Sequence, residues 1–315
     1  MGTEINGYAL LDDFTTANAG MCKWGFAKKN GHEYFIKEFL SPKYPMDESL
    51  LGPELTKKMR ESADAFFYKK KAYYGRLAAC RTGNVMVNLD FFRHGAKYYA
   101  VTDKVCGDTL EIADIAKLSE DSKRTLIMSI LYSMSKVHKA GIVHSDLKPE
   151  NILVRKTKSG YCTAKIIDFD AGFLEESVPS VIEGSQNYFA PEAVLKTNGE
   201  KIDVTTKADV FALGLLMHQY WCGKMPDFPD SYHYVSEAVL NNKPVVIDSL
   251  IPKEIGNLIN RMLSQNASDR PTAEEVWKQL RGDVSVSSEV HHAAYADSRT
   301  ASSIGLSAPA GDELD

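Results

Sequence analysis

The chain has 315 residues, 44% of them apolar and 25% charged. These are ordinary soluble values for one large bilobal domain or two smaller ones, and they exclude a collagen-like chain or one disordered throughout. The net charge of −5 resides in residues 283–315, where six acids face Arg299, so residues 1–282 balance and carry no bias toward nucleic acid or a membrane surface.

Residues 8–14 read as a first strand. Residues 22–28 and 33–39 flank Asn30-Gly31, a pair suited to the left-handed backbone of a two-residue hairpin. The proline-free stretch 54–79 reads as a helix whose Lys57, Lys58, Arg60, Lys69, Lys70, Lys71 and Arg76 are expected to form a solvated basic face. Residues 85–91 and 98–104 are expected as two further strands. From residue 110 helices dominate: Ile127, Leu131, Met134 and Val137 recur at spacings of three and four, with Gly141 as a stop. Ile255, Leu258, Ile259 and Met262 repeat the pattern, and Thr272 with Glu275 has the spacing of a capping box. After residue 283 the periodicity stops, and disorder is expected there. The longest apolar run, residues 210–217, is far below the ~20 residues of a membrane span. The five cysteines are widely spaced without a C-x-x-C, so free thiols in a reducing, cytoplasmic setting are expected. The first residues show no secretory signal, and Asn6 at the sixth position speaks against myristoylation at Gly2.

The chemistry concentrates in His144-Ser145-Asp146-Leu147-Lys148-Pro149-Glu150-Asn151, followed seventeen residues after Asn151 by Asp168-Phe169-Asp170 and later by Ala190-Pro191-Glu192. In order and spacing these resemble the catalytic loop, metal-binding triplet and activation-segment end of eukaryotic-type (Hanks-type) Ser/Thr protein kinases, over roughly residues 8–280. The resemblance implies an α+β bilobal fold, with a β-rich nucleotide-roof lobe over 1–104, a helical lobe over 105–282 and an acidic tail over 283–315. It implies ATP as cofactor with Mg²⁺, Mn²⁺ being an option, and a protein as phosphoryl acceptor. Self-modification, including at serines of the tail, is a further expectation; nucleic acid and membrane are not expected as partners.

By the same resemblance Asp146 is the proton acceptor and Lys148 meets the γ-phosphate, while Asn151 and Asp168 hold metal. Lys148 and the run from Gly184 to Glu192 suit Ser/Thr rather than Tyr substrates. Ser185 is expected beside Asp146 and Lys148, and His144 beneath the triplet. Lys37, in Tyr34-Phe35-Ile36-Lys37, grips the α- and β-phosphates. Gly20 and Cys22 belong to the nucleotide roof, Thr102 is the gatekeeper, Asp103 and Val105 offer backbone groups to adenine, Asp108 or Thr109 contacts ribose, and Leu153 is the floor. Asp209 anchors the catalytic loop, and Glu192 pairs with Arg270.

The sequence also departs from the family. Residues 15–20 keep only Gly20 of three expected glycines, and Phe35 stands where a small residue lines the adenine pocket. The helix acid that should pair with Lys37 is missing at both counted positions, Leu55 and Tyr73, which leaves Glu61 as the expected partner, with Glu54 and Asp64 behind it. Ser145 replaces the arginine that reads an activation-segment phosphate, and Val181 replaces the residue that carries it, so activity without that phosphorylation is expected. Asp170 replaces a glycine, and it is expected to be tolerated as a left-handed residue. An active kinase is the leading reading; a nucleotide-binding pseudokinase or scaffold and a small-molecule kinase are the alternatives.

Overall fold

Asn30 and Gly31 both take left-handed backbone (φ 51° and 83°) and close the hairpin between β3 (Cys22–Lys29) and β4 (His32–Phe39), paired without a break from Cys22↔Phe39 to Lys29↔His32. The computed structural model describes residues 3–17, 22–47, 52–105, 107, 109–157 and 162–282. With β1 (Glu4–Ile5), β2 (Tyr8–Leu10), β5 (Asp90–His94) and β6 (Lys97–Asp103), the hairpin forms an antiparallel sheet of order β1-β2-β3-β4-β6-β5. Side chains alternate across a strand. One face of the sheet therefore gathers Tyr8, Ala27, Ile36, Phe92, Tyr99 and Val101 into a small core, and the other joins Cys22, Phe39, Phe91 and Tyr98 to the main core through helix α1 (Pro53–Ala78).

Two expected strands differ. The first ends at Leu10, because the exposed Asp12 and Asp13 interrupt it, and pairing returns only as a Thr15–Trp24 bridge. The apolar run 85–91 is mostly connector: Val85, Met86 and Val87 are buried there, with Met86 N–H donating to the Ile166 carbonyl, and the strand begins at Asp90. Its pairing is a single parallel bridge from Val85 to Ile166 of the later strand Cys162–Ile166, so burial accounts for most of its hydrophobicity.

The second lobe begins with α2 (Ile112–Ile115) and α3 (Glu120–Lys139), the latter stopped by Gly141 at φ 68°. Short strands β7 (Ile142–Val143), β8 (Ile152–Lys156), β9 (Cys162–Ile166) and β10 (Phe173–Leu174) carry the loops of the site. Helices α4 (Pro191–Thr197), α5 (Thr206–Cys222), α6 (Val235–Leu240), α7 (Lys253–Met262) and α8 (Ala273–Arg281) complete it. Helix α5 is buried nearly all round, as the central helix of a core is. Helix α8 opens with the expected capping box, Thr272 and Glu275 each accepting the other's backbone N–H. The result is a bilobal protein-kinase-like α+β fold. Among the described residues no helix is long and apolar enough to cross a membrane, and Cys22, Cys80, Cys162 and Cys222 are free thiols.

Candidate active site

The loop over residues 144–151 hangs from one buried carboxylate. Asp209 of α5 accepts the backbone N–H of His144 at 2.8 Å and of Ser145 at 3.0 Å, and lies 3.0 Å from His138 Nε2. Ser145 has φ 72°, a conformation that costs a residue with a side chain about 1–3 kcal/mol and persists only where the surroundings hold it. His144 is fully buried against Phe169, ring centroids 4.4 Å apart, with Nε2 3.1 Å from the Ile167 carbonyl; it sits beneath the triplet, as expected.

The turn that follows presents Asp146. Its Oδ2 accepts from Lys148 Nζ at 2.8 Å and Asn151 Nδ2 at 3.0 Å, and its Oδ1 from the Ser185 N–H at 2.8 Å. Lys148 Nζ also donates to Ser185 Oγ at 3.0 Å. Asn151 Nδ2 further donates to the Asp146 carbonyl at 2.8 Å, so these bonds use its amide nitrogen and not its oxygen. Asp146, Lys148, Asn151 and Ser185 thus come together in one network.

Across the cleft Lys37 Nζ donates to Asp168 Oδ1 and to Asp170 Oδ2, both at 2.7 Å. The expected helix partner is wrong. Glu61 is 65% exposed and, among the described residues, faces only Lys57 at 4.0 Å, because its stretch of α1 lies toward solvent; Glu54 and Asp64 are exposed as well. What α1 sends toward the triplet is Lys70, whose Nζ donates to the Asp170 carbonyl at 2.6 Å, Tyr73, whose hydroxyl donates to the Phe169 carbonyl at 3.0 Å, and Tyr74, whose hydroxyl donates to Asp170 Oδ1 at 2.7 Å. The basic face is therefore not wholly solvated: Lys70 points inward and Arg76 clasps Glu176 through two bonds. The left-handed residue of the triplet is Asp168 (φ 61°), not Asp170, whose role is electrostatic. Burial works to raise the Asp170 carboxyl, but the charges of Lys37 and Lys70 and the bonds from Lys37 and Tyr74 outweigh it and hold it at about 2. Burial likewise opposes the Lys37 ammonium, and Asp170 and Asp168 more than compensate, lifting it above the ordinary lysine range. Lys70 goes the other way, its burial exceeding the pull of Asp170.

Between the lobes lies a cleft of about 270 Å³. Lys37, Thr102, Asp103, Val105, Leu153 and Asp168 all line it, together with Asp170. Gly20 and Asp108 fall outside the described residues. Cys22 sits elsewhere than expected: it is buried in the core, at the inner end of its strand, and burial followed by the nearby Asp170 charge raises its thiol to about 11. Two and four residues along the same face, Trp24 and Phe26 line the cleft instead. Thr109 is not free for ribose either, since its hydroxyl accepts the Val154 N–H at 2.9 Å and donates to the Val154 carbonyl at 3.2 Å. Phe35 stacks on Trp24 at 5.5 Å and gives the cleft an aromatic roof. Trp24, Phe26, Met86 and Asn88 were missed by sequence reasoning; strand alternation from Lys37 through its partner Trp24 carried the signal for the first two. Apolar walls with an ammonium and carboxylates at one end suit a nucleoside triphosphate, and the Asp168 carboxylate with the Asn151 amide oxygen suits a hard divalent cation.

Besides the Arg76–Glu176 ion pair, the segment after the triplet docks through a neutral bond and close packing near Gly184. Ser145 Oγ donates to the Glu183 carbonyl at 2.7 Å, and Gly184 (φ 147°) packs where a Cβ would come within 2.6 Å of the Ser145 carbonyl oxygen. Val181 is exposed. Glu192 and Arg270 form the expected buried pair, Oε1 to Nη1 at 2.7 Å and Oε2 to Nη2 at 2.8 Å.

Residues 73–280 match the protein kinase domain family. The chain is 31% identical to serine/threonine-protein kinase pim-2 of Danio rerio over 193 residues, 60% of this chain and 58% of that protein. It is 29% identical to serine/threonine-protein kinase pkn3 of Myxococcus xanthus over 174 residues, 51% of this chain and 31% of that protein. It is 25% identical to serine/threonine-protein kinase ppk6 of Schizosaccharomyces pombe over 277 residues, 86% of this chain but 33% of that protein. The chain thus spans from about a third to under three fifths of the length of these relatives.

Proposed function

The chain belongs to the protein kinase family, and on that footing we propose that it transfers the γ-phosphoryl group of ATP to serine or threonine hydroxyls of proteins. The observation that carries this reading is the closed network of Asp146, Lys148, Asn151 and Ser185 facing the cleft that holds Lys37 and Asp168. Phosphoryl transfer asks a protein mainly to position reactants and to neutralise charge. Asp146, held by three donors, orients the acceptor hydroxyl and takes its proton. Lys148 places a positive charge beside that carboxylate, where the γ-phosphate arrives. Lys37 binds the α- and β-phosphates. Asp168 and the Asn151 amide oxygen would hold Mg²⁺, or Mn²⁺ in its place, which would neutralise phosphate charge. Thr102, Asp103, Val105 and Leu153 frame the base, under a roof of Trp24 and Phe35.

Activity does not wait for activation-segment phosphorylation. The bond from Ser145 to the Glu183 carbonyl and the Gly184 packing support this reading, because they dock the segment without a phosphate. Serines of residues 283–315 are acceptors for self-modification, and free thiols favour a cytoplasmic setting. One observation favours a second reading, a nucleotide-binding scaffold without transfer: the Trp24–Phe35 stack narrows the cleft where a small residue would open it.

Intact-mass spectrometry of phosphatase-treated protein with ATP and Mg²⁺ or Mn²⁺ decides between them. Steps of one phosphoryl group, absent from Asp146→Ala and Asp168→Ala, are expected. No step with either metal, on itself or on a generic protein, selects the scaffold. The same assay on Ser177→Ala/Ser180→Ala protein is expected to match wild type, and a large loss there overturns independence from phosphorylation.

A further inference from the structure

We infer that Asp170 is the positioning residue that orients Lys37, and that carboxylate and cation have exchanged places between the metal-binding triplet and helix α1. The inference rests on Lys37 being the phosphate-binding lysine. Among the described residues the acids of α1, Glu54, Glu61 and Asp64, are all exposed and lie in its first half. The α1 side chain that approaches the site is instead a cation, Lys70, which donates to the Asp170 carbonyl at 2.6 Å. The anion stands on the other side of the gap, where Asp170 replaces the glycine of the triplet.

Asp170 is committed to this role by both oxygens. Oδ2 receives Lys37 Nζ, and Oδ1 receives the Tyr74 hydroxyl, each at 2.7 Å. Asp168 also meets Lys37, but its carboxylate is the one suited to a cation. A lysine oriented by Asp168 alone would share its partner with the metal, whereas the Asp170 pair survives metal binding. Chemistry favours the exchange as a unit. An aspartate in the triplet opposite an α1 glutamate would place two buried carboxylates together, and Lys70 opposite a glycine would leave two ammonium groups, Lys37 and Lys70, without an anion between them. With the anion on the triplet, Lys37 keeps its partner when α1 moves, so displacement of this helix cannot switch the lysine off as it could if the acid were on α1.

The test is equilibrium binding of ATP, alone and with Mg²⁺, by isothermal titration calorimetry on the full chain, beside circular dichroism for folding. Asp170→Asn and Asp170→Gly are expected to weaken ATP binding about tenfold or more, as truncating one member of a desolvated charge pair does. The deficit should be larger with Mg²⁺, when Asp168 serves the metal. Lys70→Glu with Asp170→Gly returns the acid to the helix and is expected to recover most of the affinity, a rescue that a merely structural role for Asp170 does not produce. Wild-type affinity in folded Asp170→Asn protein, or a double variant no better than Asp170→Gly, overturns the inference. If Asp170→Gly does not fold, comparison of Asp170→Asn with Asp170→Glu decides in its place, the retained carboxylate of the second being expected to bind ATP more tightly. Wild-type protein that binds ATP and transfers nothing overturns the transferase reading alone, because the affinity ranking still decides this one. Wild-type protein that does not bind ATP overturns both.

Discussion

Replacing Gly172 by alanine probes how tightly α1 is locked to the Asp168-Phe169-Asp170 triplet. A Cβ at this position would lie 2.0 Å from the Tyr73 hydroxyl, 2.8 Å from the Val143 carbonyl oxygen and 3.0 Å from that of Phe169. The tyrosine can retreat only by giving up its bond to the Phe169 carbonyl, worth about 1 kcal/mol net, and the ring, 4% exposed, has little room to move. The two backbone contacts cannot be relieved by rotating a side chain, and overpacking of this kind costs about 1–3 kcal/mol. The sum is about 2–4 kcal/mol. For a folded unit of this size each kcal/mol moves Tm by about 2–4 °C, so a fall of roughly 4–16 °C is expected in thermal denaturation followed by circular dichroism. Tyr73→Phe alone should cost about 1 kcal/mol. The double variant should cost less than the sum of the singles by about 1 kcal/mol, since the hydroxyl is lost only once. A Gly172→Ala protein that melts with wild type, or strict additivity in the double variant, would refute the claim that these atoms are in fixed contact.

The buried Glu192–Arg270 pair should be asymmetric. Arg270 also donates to the carbonyls of Ser264, Lys207 and Gln265, so Arg270→Met, which orphans all of these, is expected to destabilise more than Glu192→Gln in urea titration. Either loss is of the order of 3–5 kcal/mol, and equal effects would contradict the reasoning. A pH effect is expected from His218, which accepts the Asp248 N–H on Nε2 at 3.1 Å and holds the Lys224 carbonyl 2.8 Å from Nδ1. The ring is therefore neutral in the fold, and burial lowers its pKa from 6.5 against the pull of Asp248 and Asp227. The unfolded chain takes up the proton first as pH falls, so this contribution to stability is complete above pH 6.5 and is lost as pH drops toward the lowered native value. Denaturation midpoints of wild type and His218→Gln between pH 7.5 and 5 test it, and the same slope in both would set His218 aside.

Much of the site was readable because its parts are close in the chain. Asp146, Lys148 and Asn151 lie within one turn, so spacing alone brings them together, and the triplet follows through a short strand. The same holds for the Asn30-Gly31 hairpin, the Gly141 stop of α3 and the Thr272–Glu275 capping box, each governed by the conformations of two to four adjacent residues. Strand boundaries were less legible: Val85, Met86 and Val87 are buried in a connector beside Ile166 of β9, and hydrophobicity does not distinguish a buried connector from a strand.

The partner of Lys37 shows where sequence reasoning stops. Counting along α1 assumed that the helix carries the acid, and it ended on Glu61, which points into water. Lys37 and Asp170 are 133 residues apart and meet only in the folded structure, where Lys70, Tyr73 and Tyr74 of α1 contact the same triplet. The sequence by itself determined the fold class, the Asn30-Gly31 hairpin and the clustering of Asp146, Lys148 and Asn151, since these rest on local backbone preferences and short spacings. The tertiary structure alone decided which carboxylate faces Lys37, that Trp24 and not Cys22 roofs the cleft, and that Ser145 holds the Glu183 carbonyl. A buried charge takes whichever opposite charge packing brings within reach, and packing is a property of the folded surface rather than of the spacing along the chain.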